Sequence, residues 1–139
     1  MTPAMCLAIA MFFEGRNQGV EGMRVIGEVV VNRKEHKRFP NTICGVVFKN
    51  DHKKHACAFS FACDGLSDSM NAFDQPADVK AKKLALTLAQ EILAGEKMIA
   101  DNITHYHTVA VDPYWNSHPN FTFEGKVGYH VFYSCKKWC

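Results

Sequence analysis

The sequence has no long apolar run and no internal repeat. Its longest apolar stretch covers only residues 4–13, whereas a membrane-spanning helix needs about 20 apolar residues. No Lys or Arg precedes this stretch, and it ends in Phe-Phe-Glu, where a signal peptide would have the small residues of a cleavage site. We therefore expect a protein that is made in the cytoplasm without a signal peptide of its own and that does not insert stably into a membrane.

The sequence also lacks a strong excess of charge of one sign. Sixteen Lys and Arg residues against fourteen Asp and Glu give a net charge of +2, which gives no reason to expect a nucleic-acid partner. Six cysteines in 139 residues are too few for a small protein built on disulfides. With 47% hydrophobic and 22% charged residues, the composition predicts one globular domain over residues 1–139, which we expect to be a monomer.

Helical patterns occupy the first two thirds of the chain. Thr2 is a good N-cap and Pro3 a good first helical residue, which predicts a first helix over residues 3–14. Apolar spacing predicts further helices over residues 20–36 and 77–95, the last with Val79, Leu84, Leu88, Ile92 and Leu93 on one face. Residues 42–69 are predicted to be irregular.

Strand patterns follow these helices. Residues 104–111 and 126–135 are rich in alternating and β-branched residues, so we predict one strand in each range. Helices followed by a small antiparallel sheet indicate an α+β domain.

Glu14 is the first candidate for a catalytic group. It ends an apolar helix, where the helix dipole and burial beside Phe12 and Phe13 would raise the pKa of its carboxyl toward that of a general acid. A surface glutamate paired with Arg16 is the alternative, and the spacing alone favours that alternative.

His105 and His107 are the second candidates, because alternate residues of a strand share one face. Such a pair binds a metal ion when a third ligand is available. That ligand could come from His52, His55, Cys57 or Asp64. We favour a groove without metal, with Tyr106 turned toward the core.

Tyr114 and Trp115 lie in the loop between the two predicted strands. Aromatic rings with a polar tip stack well on the apolar faces of sugar rings. They serve equally well to plug a core, and the sequence leaves both interpretations open.

Four sequence blocks carry a family resemblance. The first has F-E-G-R at 13–16, E-G at 21–22 and V-V-N-R at 30–33. The second is F-P-N-T-I-C-G-V-V-F at 39–48, and the third is F-S-F-A-C-D-G at 59–65. The fourth has T-H-Y-H at 104–107, P-Y-W at 113–115 and G-Y-H-V-F-Y at 128–133. In this order they resemble the SleB/CwlJ-type cell-wall hydrolase family.

The resemblance implies a lysozyme-related α+β domain that binds peptidoglycan glycan strands and needs no cofactor. It implies cleavage between N-acetylmuramic acid and N-acetylglucosamine by a lytic transglycosylase, with the catalytic acid on Glu14. The substrate-binding residues would be Asp64, His105, Tyr106, His107, Tyr114 and Trp115.

Three further expectations accompany the resemblance. A phage endolysin is the expected biological role, because we expect one compact domain without a wall-binding module or signal peptide, and a bacterial wall-remodelling enzyme is the alternative. Cys44 and Cys63 stand in two of the blocks, on either side of a basic loop, and we expect them to pair under oxidising conditions. The alternative functions are a zinc-dependent amidase or peptidase that uses His105 and His107, and a wall-binding module without activity.

Overall fold

The computed structural model describes residues 1–49, 59, 61, 70 and 73–136. Within these residues four α-helices precede a three-stranded antiparallel sheet, which confirms the predicted α+β class. The helices are α1 (Pro3–Gly15), α2 (Gly19–Glu35), α3 (Ile43–Val47) and α4 (Pro76–Leu93). The strands are β1 (Ile103–Thr108), β2 (Phe121–Val127) and β3 (His130–Cys135), with a 3-10 helix at Tyr114–Ser117 before β2.

Helix α1 is the centre of the core. It begins as predicted, because the Thr2 side chain accepts a hydrogen bond from the Met5 amide at 3.2 Å and Pro3 is the first helical residue. Every residue from position 6 to position 12 is buried, and helices α2, α3 and α4 all pack against α1. None of the described helices is both long and apolar enough to cross a membrane.

The close approach of α1 and α2 depends on a glycine. A Cβ atom on Gly15 would lie 2.9 Å from the Cα atom of Met23, which is too close for any side chain. The small residue lets the end of α1, and with it Glu14, sit directly against α2.

Helix α2 also fixes the start of the sheet. Glu28 is buried, and its Oε1 atom accepts hydrogen bonds from the amides of Met98 at 2.7 Å and Ile99 at 3.1 Å. Asn32 donates from Nδ2 to the carbonyl oxygens of Ala100 and Ile103, both at 2.9 Å. These bonds satisfy the backbone of the segment that enters β1 and hold it against α2.

The expectation that residues 42–69 are irregular was wrong at Ile43–Val47, which forms helix α3. The Thr42 hydroxyl accepts a hydrogen bond from the Gly45 amide at 2.9 Å and so caps this helix. A five-residue helix has too few apolar positions to show a helical period, so the cap was the only available signal.

The expected Cys44–Cys63 disulfide was also wrong, because Cys44 is bonded to Cys6. Their Cα atoms are 5.2 Å apart, and the bridge joins α3 to the buried first helix. Cys63 lies outside the described residues. Without α3 in the prediction, nothing indicated that Cys44 would lie beside α1.

The sheet has one more strand than the sequence predicted. The predicted strand over 126–135 is a hairpin, in which β2 starts at Phe121 and turns at Gly128, whose φ angle is +59°. Strand β3 pairs with both β1 and β2 and is the central strand. The predicted first strand ends earlier than expected, at Thr108.

The predicted apolar face of α4 was partly wrong. Leu88 and Ile92 are buried as expected, but Val79 and Leu93 are 37% and 39% exposed. Ala85 and Ala89 complete the buried face, and α4 packs against α1.

Candidate active site

Glu14 lies in the last turn of α1, where this helix meets strand β1. Its side chain is half-buried, and the Tyr106 hydroxyl donates a hydrogen bond to Oε1 at 3.0 Å. Tyr106 extends from the middle of β1 toward the helices, and its ring packs against that of Phe132 on the neighbouring strand β3. The contact therefore joins an acidic group at the end of α1 to the sheet, and Tyr106 faces the core as predicted.

The environment of Glu14 favours the protonated carboxyl. Burial raises the pKa of Glu14, and this outweighs the Tyr106 hydrogen bond and the charge of Arg33, which both lower it. The direction of this pKa shift is the one expected from the sequence. A raised pKa is the direction of shift that a general acid requires.

The alternative pairing of Glu14 with Arg16 was wrong. The Arg16 Nη1 atom lies 3.3 Å from Oδ1 of Asp78, in the first turn of α4. The Arg16 guanidinium also lies over the rings of Phe73 and Phe12, at 4.7 and 5.1 Å from their centroids. Arg16 thus links α4 to the end of α1, and Tyr106 is the hydrogen-bond partner of the Glu14 carboxyl.

Arg33 is a member of this group that the sequence analysis did not assign. Its Nε atom donates a hydrogen bond to the carbonyl oxygen of Thr104 at 2.7 Å. Its guanidinium lies 5.4 Å from the ring centroids of both Phe39 and Phe59. The available signal was the position of Arg33 in the V-V-N-R block, directly after the structural Asn32.

His105 and His107 share one face of β1, as predicted, and this is the face opposite Tyr106. Both rings contact Trp115, with centroids 5.5 Å and 5.7 Å from that of the indole. His107 also stacks on Tyr133 at 5.4 Å, and His105 lies edge-on to Phe121 at 4.8 Å. The two histidines are part of an aromatic layer over the outer face of the sheet.

The ring nitrogens of these histidines have protein partners. The Nδ1 atom of His107 donates a hydrogen bond to the carbonyl oxygen of Thr108 at 2.7 Å, and its Nε2 atom is hydrogen-bonded to the Tyr133 hydroxyl at 3.0 Å. The Nδ1 atom of His105 is hydrogen-bonded to the Thr104 hydroxyl at 2.9 Å. Burial lowers the pKa of His105 to about 4, and the nearby charge of Arg33 acts in the same direction.

A metal centre would need at least one more ligand beside these histidines. Among the described residues, no three His, Cys, Asp or Glu side chains come together as a metal site. The four residues considered as a third ligand all lie outside the described residues, namely His52, His55, Cys57 and Asp64. Asp64 was also a candidate for substrate binding.

The two interpretations of the Tyr114–Trp115 pair each apply to one residue. Trp115 packs against Phe121 and Tyr133, at 5.0 and 5.2 Å between centroids, and covers the sheet. Tyr114 is 93% exposed. Trp115 is thus partly covered by its packing on the sheet, whereas the ring of Tyr114 is almost fully exposed.

Comparison with solved structures finds a similar fold. The structure is similar to the crystal structure of the catalytic domain of the Bacillus cereus SleB protein, with a TM-score of 0.65 and 23% sequence identity. The similarity covers 95% of this chain and 89% of that one, and at this identity it establishes a shared fold. No curated protein sequence matches the chain.

The family itself is identified from the sequence. The model of the cell wall hydrolase family matches residues 17–133, which is most of the chain and begins just after Glu14. This match confirms the family resemblance carried by the four sequence blocks. The chain therefore belongs to the cell wall hydrolase family.

Proposed function

We propose that this cell wall hydrolase cleaves peptidoglycan glycan strands between N-acetylmuramic acid and N-acetylglucosamine, with Glu14 as the acid–base group. The observation that carries the proposal is the half-buried carboxyl of Glu14, whose pKa is raised by burial and which Tyr106 holds at the junction of α1 and β1. General acid catalysis requires an oriented carboxyl whose pKa is raised in this way.

The first step is proton donation. Glu14 gives its proton to the glycosidic oxygen, the bond between that oxygen and C1 of the muramic acid breaks as positive charge develops at C1, and the N-acetylglucosamine leaves as the alcohol. Tyr106 orients the carboxyl through its hydrogen bond to Oε1. As Glu14 loses its proton, the same hydrogen bond and the charge of Arg33 stabilise the carboxylate that forms.

The second step uses the substrate as its own nucleophile. The Glu14 carboxylate takes the proton of the C6 hydroxyl, and the C6 oxygen attacks C1 to close a 1,6-anhydro ring. Glu14 is protonated again at the end of the cycle. Because the hydroxyl and C1 belong to one sugar, the attack is intramolecular and has the entropic advantage of proximity.

The carboxylates nearest to Glu14 in sequence support a single-acid mechanism. A hydrolytic glycosidase places a second carboxylate across the scissile bond. Glu28 is buried and binds the Met98 and Ile99 amides, with Arg24 3.5 Å away. Glu21 is exposed on the first turn of α2. Neither is available as a buried nucleophile opposite Glu14, and Asp64 lies outside the described residues. Within the described part of the chain, the environments of Glu21 and Glu28 favour transglycosylation over hydrolysis.

Digestion of purified peptidoglycan tests which bond is cut. We expect soluble muropeptides whose stem peptides are still attached to the sugars. Free stem peptides beside uncut glycan strands would contradict the proposal and support an amidase or peptidase. Binding to the wall without release of fragments would support the wall-binding module.

The remaining expectations from the sequence stay predictions. They are sugar binding by His105, His107, Tyr114, Trp115 and Asp64, a single monomeric domain, and the role of a phage endolysin. Our proposal for Tyr106 differs from direct sugar binding, since its hydroxyl is bonded to Glu14.

Tyr106→Phe tests the positioning of Glu14. Removing the hydroxyl deletes one hydrogen bond to the carboxyl, and we expect kcat to fall about tenfold, the loss of a charge-assisted bond of roughly 1.5 kcal/mol. The pKa of Glu14 should rise, because the lost bond favoured the carboxylate. The alkaline limb of the pH–activity profile should therefore move to higher pH. Tyr129→Phe, on an exposed residue of the hairpin, is the matched control.

An unchanged pH profile in Tyr106→Phe would contradict this role for Tyr106. A loss of kcat alone would also result from general damage to the sheet, so the shift of the alkaline limb is the decisive part of the measurement.

A further inference from the structure

His130 is a buried residue at the start of β3 that the proposed mechanism does not use, and it is only 4% exposed. Tyr106 is paired in the sheet with Phe132, which follows His130 by two positions, so the three side chains share one face of the sheet. The rings of His130 and Tyr106 are perpendicular, with 5.1 Å between centroids and 86° between planes. His130 therefore contacts the ring whose hydroxyl is bonded to Glu14.

The backbone next to His130 is held on two sides. The Tyr129 amide donates a hydrogen bond at 2.8 Å to Oε1 of Gln18, which lies in the turn between α1 and α2. The carbonyl oxygen of Tyr129 accepts a hydrogen bond at 2.9 Å from the amide of Val109, which directly follows β1. The end of the hairpin is therefore fixed against both the turn after α1 and the strand β1, and this restricts the position of the His130 ring.

The ring of His130 is held by packing and carries no charge at neutral pH. Its Nδ1 atom is buried and has no hydrogen-bond partner among the described residues. Burial lowers the pKa of His130 below its ordinary value, so the neutral imidazole predominates. Within the described part of the chain, the groups that act on the pKa of Glu14 are Arg33 of α2 and Tyr106 of β1. An uncharged ring at position 130 can change that balance only through the placement of Tyr106.

We propose that His130 is a positioning residue, whose ring packs against Tyr106 and keeps the Tyr106 hydroxyl on the Glu14 carboxyl. Its importance for activity rests on the proposed function, in which Glu14 is the acid. Perpendicular packing of two aromatic rings is directional, because the positive edge of one ring is attracted to the negative face of the other. An aliphatic side chain fills the same space without this preference, and the Tyr106 hydroxyl is then bonded to Glu14 for less of the time.

Titration of the Glu14 carboxyl by NMR, on protein with isotope-labelled glutamate, tests this role without relying on activity. His130→Leu should raise the pKa of Glu14, because the Tyr106 hydrogen bond lowers it. His130→Phe supplies an aromatic ring without the imidazole nitrogens and should restore the parent pKa. Phe123→Leu is the matched control, because it removes an exposed aromatic ring from β2 and should leave the pKa unchanged.

The rate of glycan cleavage is the second measurement. His130→Leu should lower kcat about three- to tenfold, through loss of the aromatic contact, and should leave KM unchanged. His130→Phe should recover most of this loss. Near-normal turnover in Glu14→Gln would reject the proposed function, and the titration of Glu14 would still decide whether His130 positions Tyr106.

Combination with Tyr106→Phe separates positioning from general damage to the sheet. Once the hydroxyl is absent, the ring at position 130 has no hydrogen bond to maintain, so Tyr106→Phe/His130→Leu should have the Glu14 pKa of Tyr106→Phe alone. An unchanged pKa in His130→Leu, or a further rise in the double variant, would overturn the proposal. Failure of His130→Phe to keep the parent pKa would overturn it as well, even if the leucine variant did not fold.

Discussion

Glu14→Gln is expected to lower glycan-strand cleavage by about a hundredfold or more while the protein stays folded. Glutamine has nearly the same shape as glutamate and can still accept the Tyr106 hydrogen bond, but it can neither give nor take the catalytic proton. The measurement is the rate of release of soluble fragments from purified peptidoglycan. Glu21→Gln is the matched control, because Glu21 is an exposed glutamate in the next helix and should leave the rate unchanged.

The stability of the Glu14→Gln variant should separate catalysis from folding. The pKa of Glu14 is raised in the folded state, so the folded protein holds this proton more tightly than the unfolded chain does. Stability therefore falls as pH rises through the interval between the unfolded and folded pKa values. A neutral glutamine removes this pH-dependent loss, and the variant should unfold at the same or a higher denaturant concentration at neutral pH. Near-normal turnover in Glu14→Gln would remove Glu14 from the mechanism.

Loss of the Cys6–Cys44 disulfide is expected to lower the free energy of unfolding by about 4 kcal/mol. The bridge spans 38 positions of the sequence, and closing a loop of that size restricts the unfolded chain by this amount on the chain-entropy estimate. Small domains have only about 5–15 kcal/mol of stability in total, so the change should be large. Chemical unfolding of Cys6→Ala/Cys44→Ala under oxidising conditions, compared with the parent, gives the value.

The single variants provide the control for the disulfide. Either Cys6→Ala or Cys44→Ala breaks the same bridge, so each should lose nearly as much stability as the double variant. Additive losses, or a loss below about 1 kcal/mol in each single variant, would mean that the bridge adds little to stability.

The helices were largely predictable because their signals are local. Thr2 and Pro3 mark the start of α1, and the glycines after Glu14 mark its end. Helix α2 begins and ends within one residue of its predicted range, although Val29, Val30 and Val31 also suit a strand. Here the packing of α2 on α1 outweighs the β-branched preference.

The missed features depend on contacts distant in sequence. The hairpin turn at Gly128 is followed by Tyr129, whose amide donates to the Gln18 side chain at 2.8 Å, 111 positions away. The Cys6–Cys44 bridge depends on where α3 docks. The position of the Arg33 side chain depends on the hydrogen bond that it donates to the carbonyl oxygen of Thr104. None of these contacts produces a periodic pattern in the sequence from which it could be predicted.

The candidate site follows the same division. The position of Glu14 at the end of an apolar helix suggested a raised carboxyl pKa, but spacing alone favoured a surface glutamate, and the family resemblance was needed to assign the acid. Two contacts could be identified only from the folded chain. They are the hydrogen bond from Tyr106 to Glu14 and the ion pair of Arg16 with Asp78. The candidate acid was thus assigned through the family resemblance, and its partners became visible only in the fold.

The central claim is that Glu14 is the sole acid–base group and that the C6 hydroxyl of the same muramic acid attacks C1. Mass spectrometry of the digestion products tests this claim most directly. Peptidoglycan is digested to completion, reduced with borohydride and separated. The account predicts muropeptides with 1,6-anhydro-muramic ends, which are lighter by one water than hydrolytic products and resist reduction. In a Glu14→Gln digest of equal duration, these ends should form about a hundredfold more slowly or not at all. Products with only reducible muramic ends would contradict the account and show a hydrolase with a second essential carboxylate.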